Sequence, residues 1–159
     1  MTSDQSQDQP FDESQFENTV VRMELDGGVV EIVPQDEGVP TTNPNSIHET
    51  VHVISASNPG FLDTDENNER RHVYMSHRLR ELGVEPLAAI GASPDGQWQE
   101  ASWAVRGLSR QQVSELGREF RQVAVFEIDS RQVHVVRCSD SAIVSSRPYR
   151  AVEVPFGGS

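Results

Sequence analysis

Along residues 51–129 two apolar rhythms alternate, one of period two and one of three to four, in the order strand, helix, strand, strand, helix, strand. An Asp-Gly pair separates the two middle strands, and the second helix carries a complete capping signature. These observations predict an α+β protein: a ferredoxin-like βαββαβ sandwich with an added N-terminal hairpin and a C-terminal strand. Such a fold lays both helices on one face of an antiparallel sheet and leaves the other face open.

The elements follow in order. The first 18 residues hold five acids, no base and few apolar groups, too little to offset the entropy of ordering, so a disordered acidic tail is expected over 1–18. Val21, Met23 and Leu25 alternate, break at Asp26-Gly27-Gly28, and resume with Val30 and Ile32, a hairpin pattern. Residues 34–48 carry three prolines and no period, which predicts a loop. A strand follows over 51–56. His72, Met75, Leu79 and Leu82 share one face of a helix running from about Glu66 to Leu82, ended by Gly83. Asp63 and Glu66 are spaced like its capping box. Two strands flank Asp95-Gly96. In the second helix Ser109 is the N-cap and Gln112 the third helical residue, with Leu108 and Val113 as a hydrophobic staple. Strands "VAVFEID" and "QVHVVRC" flank Ser130-Arg131. The expected organisation is a single α+β domain over 19–139 and an irregular segment over 140–159.

Charge and composition exclude several chemistries. The net charge of −12 is uneven: residues 1–66 hold 14 acids and one base, residues 67–159 hold 11 acids and 12 bases. That balance disfavours direct nucleic-acid binding, which needs a basic face. Every one of the 13 basic residues is arginine, so a P-loop lysine, Schiff-base chemistry and a lysine general base are all excluded. Cys138 is the only cysteine, which leaves no internal disulfide and no cysteine metal cage. No charged leader precedes an apolar run and no apolar stretch approaches 18 residues, so a cytoplasmic protein without membrane contact is expected.

Four ordered blocks, "HVISASNPG", "ENNERR", "DGQWQEASWAVRGLS" and "LGREFRQVAVFEID", resemble the bacterial family catalogued as domain of unknown function 3293, over about residues 51–129. Ser55 and Val123 depart from the Thr and Asn expected there. The resemblance implies domain limits and no mechanism.

The stretch "SASNPG" at 55–60 joins a strand to a helix, as phosphate pockets do, but the helix opens on Asp63, Asp65 and Glu66, which complement the dipole themselves and repel an anion. A turn initiated by Asn58-Pro59 is the reading. Asp63, Asp65 and Asn67 match the start of a calcium loop, but Asn68 and Tyr74 stand where glycine and glutamate are required. His48 and His52, or His72 and His77, lack metal-ligand spacing, so no metal and no cofactor is expected. Ser55 or Ser57 near His52 is a conceivable nucleophile and base, with no G-x-S-x-G elbow to support it.

The candidate binding residues are Ser57, Asn58, Asn67, Arg71, Glu100, Arg106 and Glu127. If Trp103, Val105, Phe126 and Ile128 face the helices, Glu100, Ser102, Arg106 and Glu127 face the open side, joined by His52 and Ile54. Arg70 and Arg71 with Asn58 and Asn67 can clamp an anion, although ion pairing with the neighbouring acids at 63–69 is the expected use of these arginines. No catalytic constellation is complete. The sequence therefore points to a ligand- or protein-binding regulatory module; the alternatives are an enzyme on a small polar or nucleotide-like substrate, with Glu100 or Glu127 as base, and an acidic inhibitor or nucleic-acid mimic.

Overall fold

The computed structural model describes residues 14–42, 46–58 and 63–154. Its elements are α1 (Ser14–Glu17), β1 (Val20–Leu25), β2 (Gly28–Pro34), β3 (Val51–Ile54), α2 (Asp65–Glu81), β4 (Leu87–Ala92), β5 (Gln99–Val105), α3 (Arg110–Glu119), β6 (Ala124–Ile128), β7 (Val133–Arg137), β8 (Ile143–Arg147) and β9 (Tyr149–Val154). All nine strands form one sheet in the order β8-β7-β6-β3-β5-β4-β1-β2-β9, antiparallel throughout.

The two edge strands betray the sheet's shape. Laid flat, β8 and β9 would be about 38 Å apart at about 4.8 Å per strand spacing. They are joined by Pro148 alone, so Arg147 and Tyr149 lie within about 7.6 Å. Only a sheet rolled into a nearly closed barrel meets both conditions. Its lumen is filled accordingly: Val21, Met23, Ile32, Val53, Ala104, Ile128, Val133 and Tyr149 belong to one buried cluster, contributed by strands from all around the sheet. A second cluster lies outside the barrel wall, where Met75 and Leu79 of α2 and Val113, Leu116 and Phe120 of α3 pack on Ile54, Val105, Val125 and Val136.

The ferredoxin-like sandwich is thereby overturned. The strands of residues 51–129 do lie together as β6-β3-β5-β4 with both helices on one side, but the sheet continues past both of its expected ends. β1 pairs with β4, and β9 pairs with β2 through six residues. What was expected to be an open face is the barrel lumen. Residues after Ser139, expected to be irregular, hold two strands; the serines and Pro148 obscure them, although Tyr149 and Ala151 alternate with Arg150 and point inward. Of the expected tail, residues 1–13 lie outside the described residues. Phe16 packs on Phe126 with ring centroids 6.2 Å apart and Arg147 donates to the Glu17 carbonyl, so residues 14–18 are fastened to the barrel.

The facing of β6 is also corrected. Val53 pairs with both Ala104 and Phe126, and His52 with both Val105 and Glu127. Phe126 and Ile128 therefore point into the lumen, while Glu127 and His52 share the outer, helix-covered side with Trp103 and Val105. Ile54 is in the helix cluster, not opposite it. A one-residue difference in register reverses every side chain of a strand.

Local signals were read more closely. Asp26 and Gly27 both have positive φ, 52° and 83°, the turn that suits a two-residue hairpin. Ser109 and Gln112 form the reciprocal capping box. At α2 the cap is Thr64, whose hydroxyl accepts from the Asn67 amide, rather than Asp63. Gly117 faces inward on α3, where an added Cβ would sit 2.5 Å from the Cys138 sulfur. Gly117→Ala should lower stability by about 1–2 kcal/mol by overpacking, despite the better helix propensity of alanine. Cys138→Ala in that background should restore part of the loss in urea unfolding; an additive pair of effects would exclude the contact as the cause.

Candidate functional site at the entrance of helix α2

After β3 the chain leaves the barrel wall and is tied at once to the start of α2. Ser55 Oγ accepts from the Ser57 amide at 3.0 Å. Asn58 takes up a left-handed φ of 49°, a conformation asparagine tolerates because its amide bonds locally. Its Oδ1 accepts from the Asp63 amide and from Asn68 Nδ2, at 3.1 and 3.0 Å. Its own amide donates to Asn68 Oδ1, and its Nδ2 donates to Glu100 Oε2 at 3.3 Å. Arg71 donates from Nε to the Ala56 carbonyl and from a terminal nitrogen to Asp63 and Asn68. Asn67 Nδ2 donates to Asp63, and Gln122 reaches over from beyond α3 to the Ser57 carbonyl.

Charge is distributed unequally in this network. The Asp63 carboxyl is held below the usual range by hydrogen bonds from Asn67, Arg71 and the Thr64 amide. Glu100 goes the other way: burial raises its pKa, and Ser55 and Asn58, both neutral, only partly offset this. Among the described residues it is the one carboxyl shifted upward.

Of the expected site residues, the structure brings together Ser57, Asn58, Asn67, Arg71 and Glu100. Arg106 is six residues along β5 from Glu100, about 20 Å away, and pairs with Asp26 and Glu49. Glu127 belongs to a separate buried group: His52 Nε2 lies 2.9 Å from its Oε1, and Arg110 grips both oxygens at 2.9 and 2.8 Å. His52 is 2% exposed and its Nδ1 has no hydrogen-bond partner. With Nε2–H donating to Glu127, Nδ1 is a bare acceptor, and protonating it would bury an unpaired N–H. Burial accordingly lowers the His52 pKa, and the Glu127 carboxyl is held down by Arg110 and His52. His52 is thus no base for Ser55, which stands on the other side of the strand.

Asn68 and Gln122 were missed as members of the loop network, whereas the pairing of Arg71 with an acid of the helix entrance, Asp63, was expected. The first had a signal, since residues 67, 68 and 71 fall on neighbouring faces of one helical turn. Among the described residues no group of three or more His, Cys, Asp or Glu side chains is placed to hold a metal ion, and no helix is long and apolar enough to cross a membrane.

Fold and site together define a nearly closed antiparallel β-barrel, backed by two helices, with a cross-linked polar loop at the entrance of the longer one. Residues 54–125 match a family described as a protein of unknown function (DUF3293), so the resemblance read from the four blocks is shown over that segment. The segment contains the whole loop network; the hairpin and the last three strands, which complete the barrel, lie outside it. No curated protein and no solved structure matches the chain.

Proposed function

We propose that the protein is a binding module for a small polar ligand that engages the α2 entrance through Glu100 and Asn58, on a loop that Arg71 holds in place. The carrying observation is Glu100, a half-buried carboxyl left with neutral partners only. Such a group costs stability in the empty protein and is matched by a ligand offering N–H, O–H or cationic donors. Arg71 and Asn67 are committed to Asp63, so an anion is the poorer fit. An enzymatic reading has one observation in its favour, since a raised carboxyl pKa suits a general base. Glu127 does not share that role, because Arg110 and His52 already occupy it.

A thermal-shift screen against amino acids, polyamines, sugars and nucleosides tests the proposal, with Asn58→Ala and Glu100→Gln alongside the natural chain. A folded-state pKa above the unfolded value means that ionising Glu100 opposes folding at neutral pH. Glu100→Gln should therefore raise the Tm of the ligand-free protein and abolish any concentration-dependent shift. A lowered Tm, or a ligand shift that survives both substitutions, would remove Glu100 from the site.

A further inference from the structure

We infer that the barrel carries a second site, a serine acyl-transfer centre built by Ser146, His134 and Asp129, suited to small carboxylic esters bearing an anionic group. The residues come from consecutive elements. His134 of β7 stands directly opposite Ser146 of β8, and Asp129 follows β6 in the turn leading to β7. His134 Nδ1 is 2.7 Å from Ser146 Oγ, and Nε2 is 2.9 Å from Asp129 Oδ2. The other oxygen of Asp129 accepts the backbone amides of Arg131 and Gln132, both at 2.8 Å, which aims Oδ2 at the imidazole.

This arrangement dictates the tautomer. An ionised Asp129 requires Nε2–H, which leaves Nδ1 as the acceptor of the serine proton. The two ring nitrogens are exchanged relative to the usual serine-hydrolase arrangement, but the roles depend on geometry rather than on atom name. His134 is 7% exposed, whereas Ser146 lines a cleft of about 970 Å³ together with Thr41, Arg131, Gln132 and the 37–40 loop. That volume is within the range of small-molecule sites. The lining holds two charged side chains, Glu37 and Arg131; Arg131, in the same turn as Asp129, is exposed with no ion pair among the described residues, and it is the group that can hold an anionic end of the substrate.

In the reaction Ser146 Oγ attacks the ester carbonyl carbon and its proton passes to His134 Nδ1. The tetrahedral adduct collapses, the bond to the alcohol oxygen breaks, and the imidazolium returns the proton to the leaving alkoxide. Water then attacks the acyl-serine, again giving its proton to His134, and the carboxylic acid departs as Ser146 regains its hydrogen. Ester and water become acid and alcohol, with Asp129 stabilising the imidazolium in each half.

The full chain is to be treated with a fluorophosphonate probe, the labelled serine located by peptide fragmentation, and hydrolysis of p-nitrophenyl acetate compared with that of the mono-p-nitrophenyl ester of glutarate. Labelling at Ser146, lost in Ser146→Ala, kept in Ser145→Ala on the opposite face of β8, and faster hydrolysis of the anionic ester are expected. Asp129→Asn keeps an oxygen for the two backbone amides but presents N–H to His134, forcing the proton onto Nδ1. It should fold normally by circular dichroism and lose hydrolysis on the order of 10⁴-fold. No labelling, labelling at another serine, or a folded Asp129→Asn with the natural rate would each overturn the assignment.

Discussion

A chain ending at Ser139 is expected to lose cooperative unfolding altogether. It lacks β8 and β9, and with them Tyr149 and Ala151, both fully buried in the barrel lumen. Tyr149 also bonds across the barrel end, its hydroxyl donating to the Asp129 carbonyl at 2.7 Å, and Thr41 donates to the Arg131 carbonyl from the neighbouring loop. Without β9 the backbone of β2 becomes a free edge, and Val30 and Ile32 lose the wall that covers them. An exposed, apolar edge of this kind invites association. An open sandwich that ends at β7 would tolerate the same deletion with little change. Urea unfolding followed by circular dichroism separates the two: a broad, non-sigmoidal transition with dye-accessible apolar surface supports the barrel, and a sharp transition with an unchanged slope per molar urea would contradict it.

The second large effect concerns Glu127. Glu127→Ala should destabilise the protein by about 2–3 kcal/mol, because it strips the partner from a buried imidazole and from Arg110. The Arg110 side chain is 43% exposed and its guanidinium can turn to water, which keeps the loss below that of a wholly buried pair. A fall of roughly 8 °C in Tm is the corresponding reading. The acid limb of the stability profile has the same origin. The folded pKa of His52 lies below its ordinary 6.5, so the unfolded chain takes up that proton first and stability falls as pH drops through 6.5. The Glu127 carboxyl lies below its ordinary 4.5, so its contribution is complete above that value and is lost as pH falls further. His52→Gln should flatten the first part of this limb, and Glu127→Ala the second. An unaltered profile in both variants would place the acid sensitivity elsewhere.

The loop network shows where sequence reasoning reached and where it stopped. "SASNPG" reads as a turn and not as a phosphate pocket, because acids stand at the helix entrance; in the folded chain Thr64 caps α2 and Asp63 holds Arg71 and Asn67 beside it. Ser57, Asn58, Asn67 and Arg71 are close in the chain, and their clustering needed only one strand-to-helix connection. Glu100 arrives from 42 residues further on; alternation along β5 put it on one sheet face, and its place beside the loop follows from the pairing of β5 with β3 and β4. Arg106 was drawn into the same set only because it shares parity with Glu100, and strand rise carries it to the other end of β5. Glu127 was assigned to the wrong side because its register against His52 is decided by pairing across β3, which periodicity within β6 does not contain.

By itself the amino-acid sequence determined the strands of the hairpin and of residues 51–137, the N-terminal cap of the second long helix, the Asp-Gly turns, the absence of lysine chemistry and the family resemblance that the match over residues 54–125 supports. Each of these rests on neighbours within a few residues or on composition. Closure of the barrel, the facing of β6, the strands at 143–154 and the meeting of Ser146 with His134 and Asp129 were decided by tertiary structure alone. They depend on which edge a strand joins, a choice settled by burying Tyr149, Ile32 and Val133 in one lumen, and no local pattern records it.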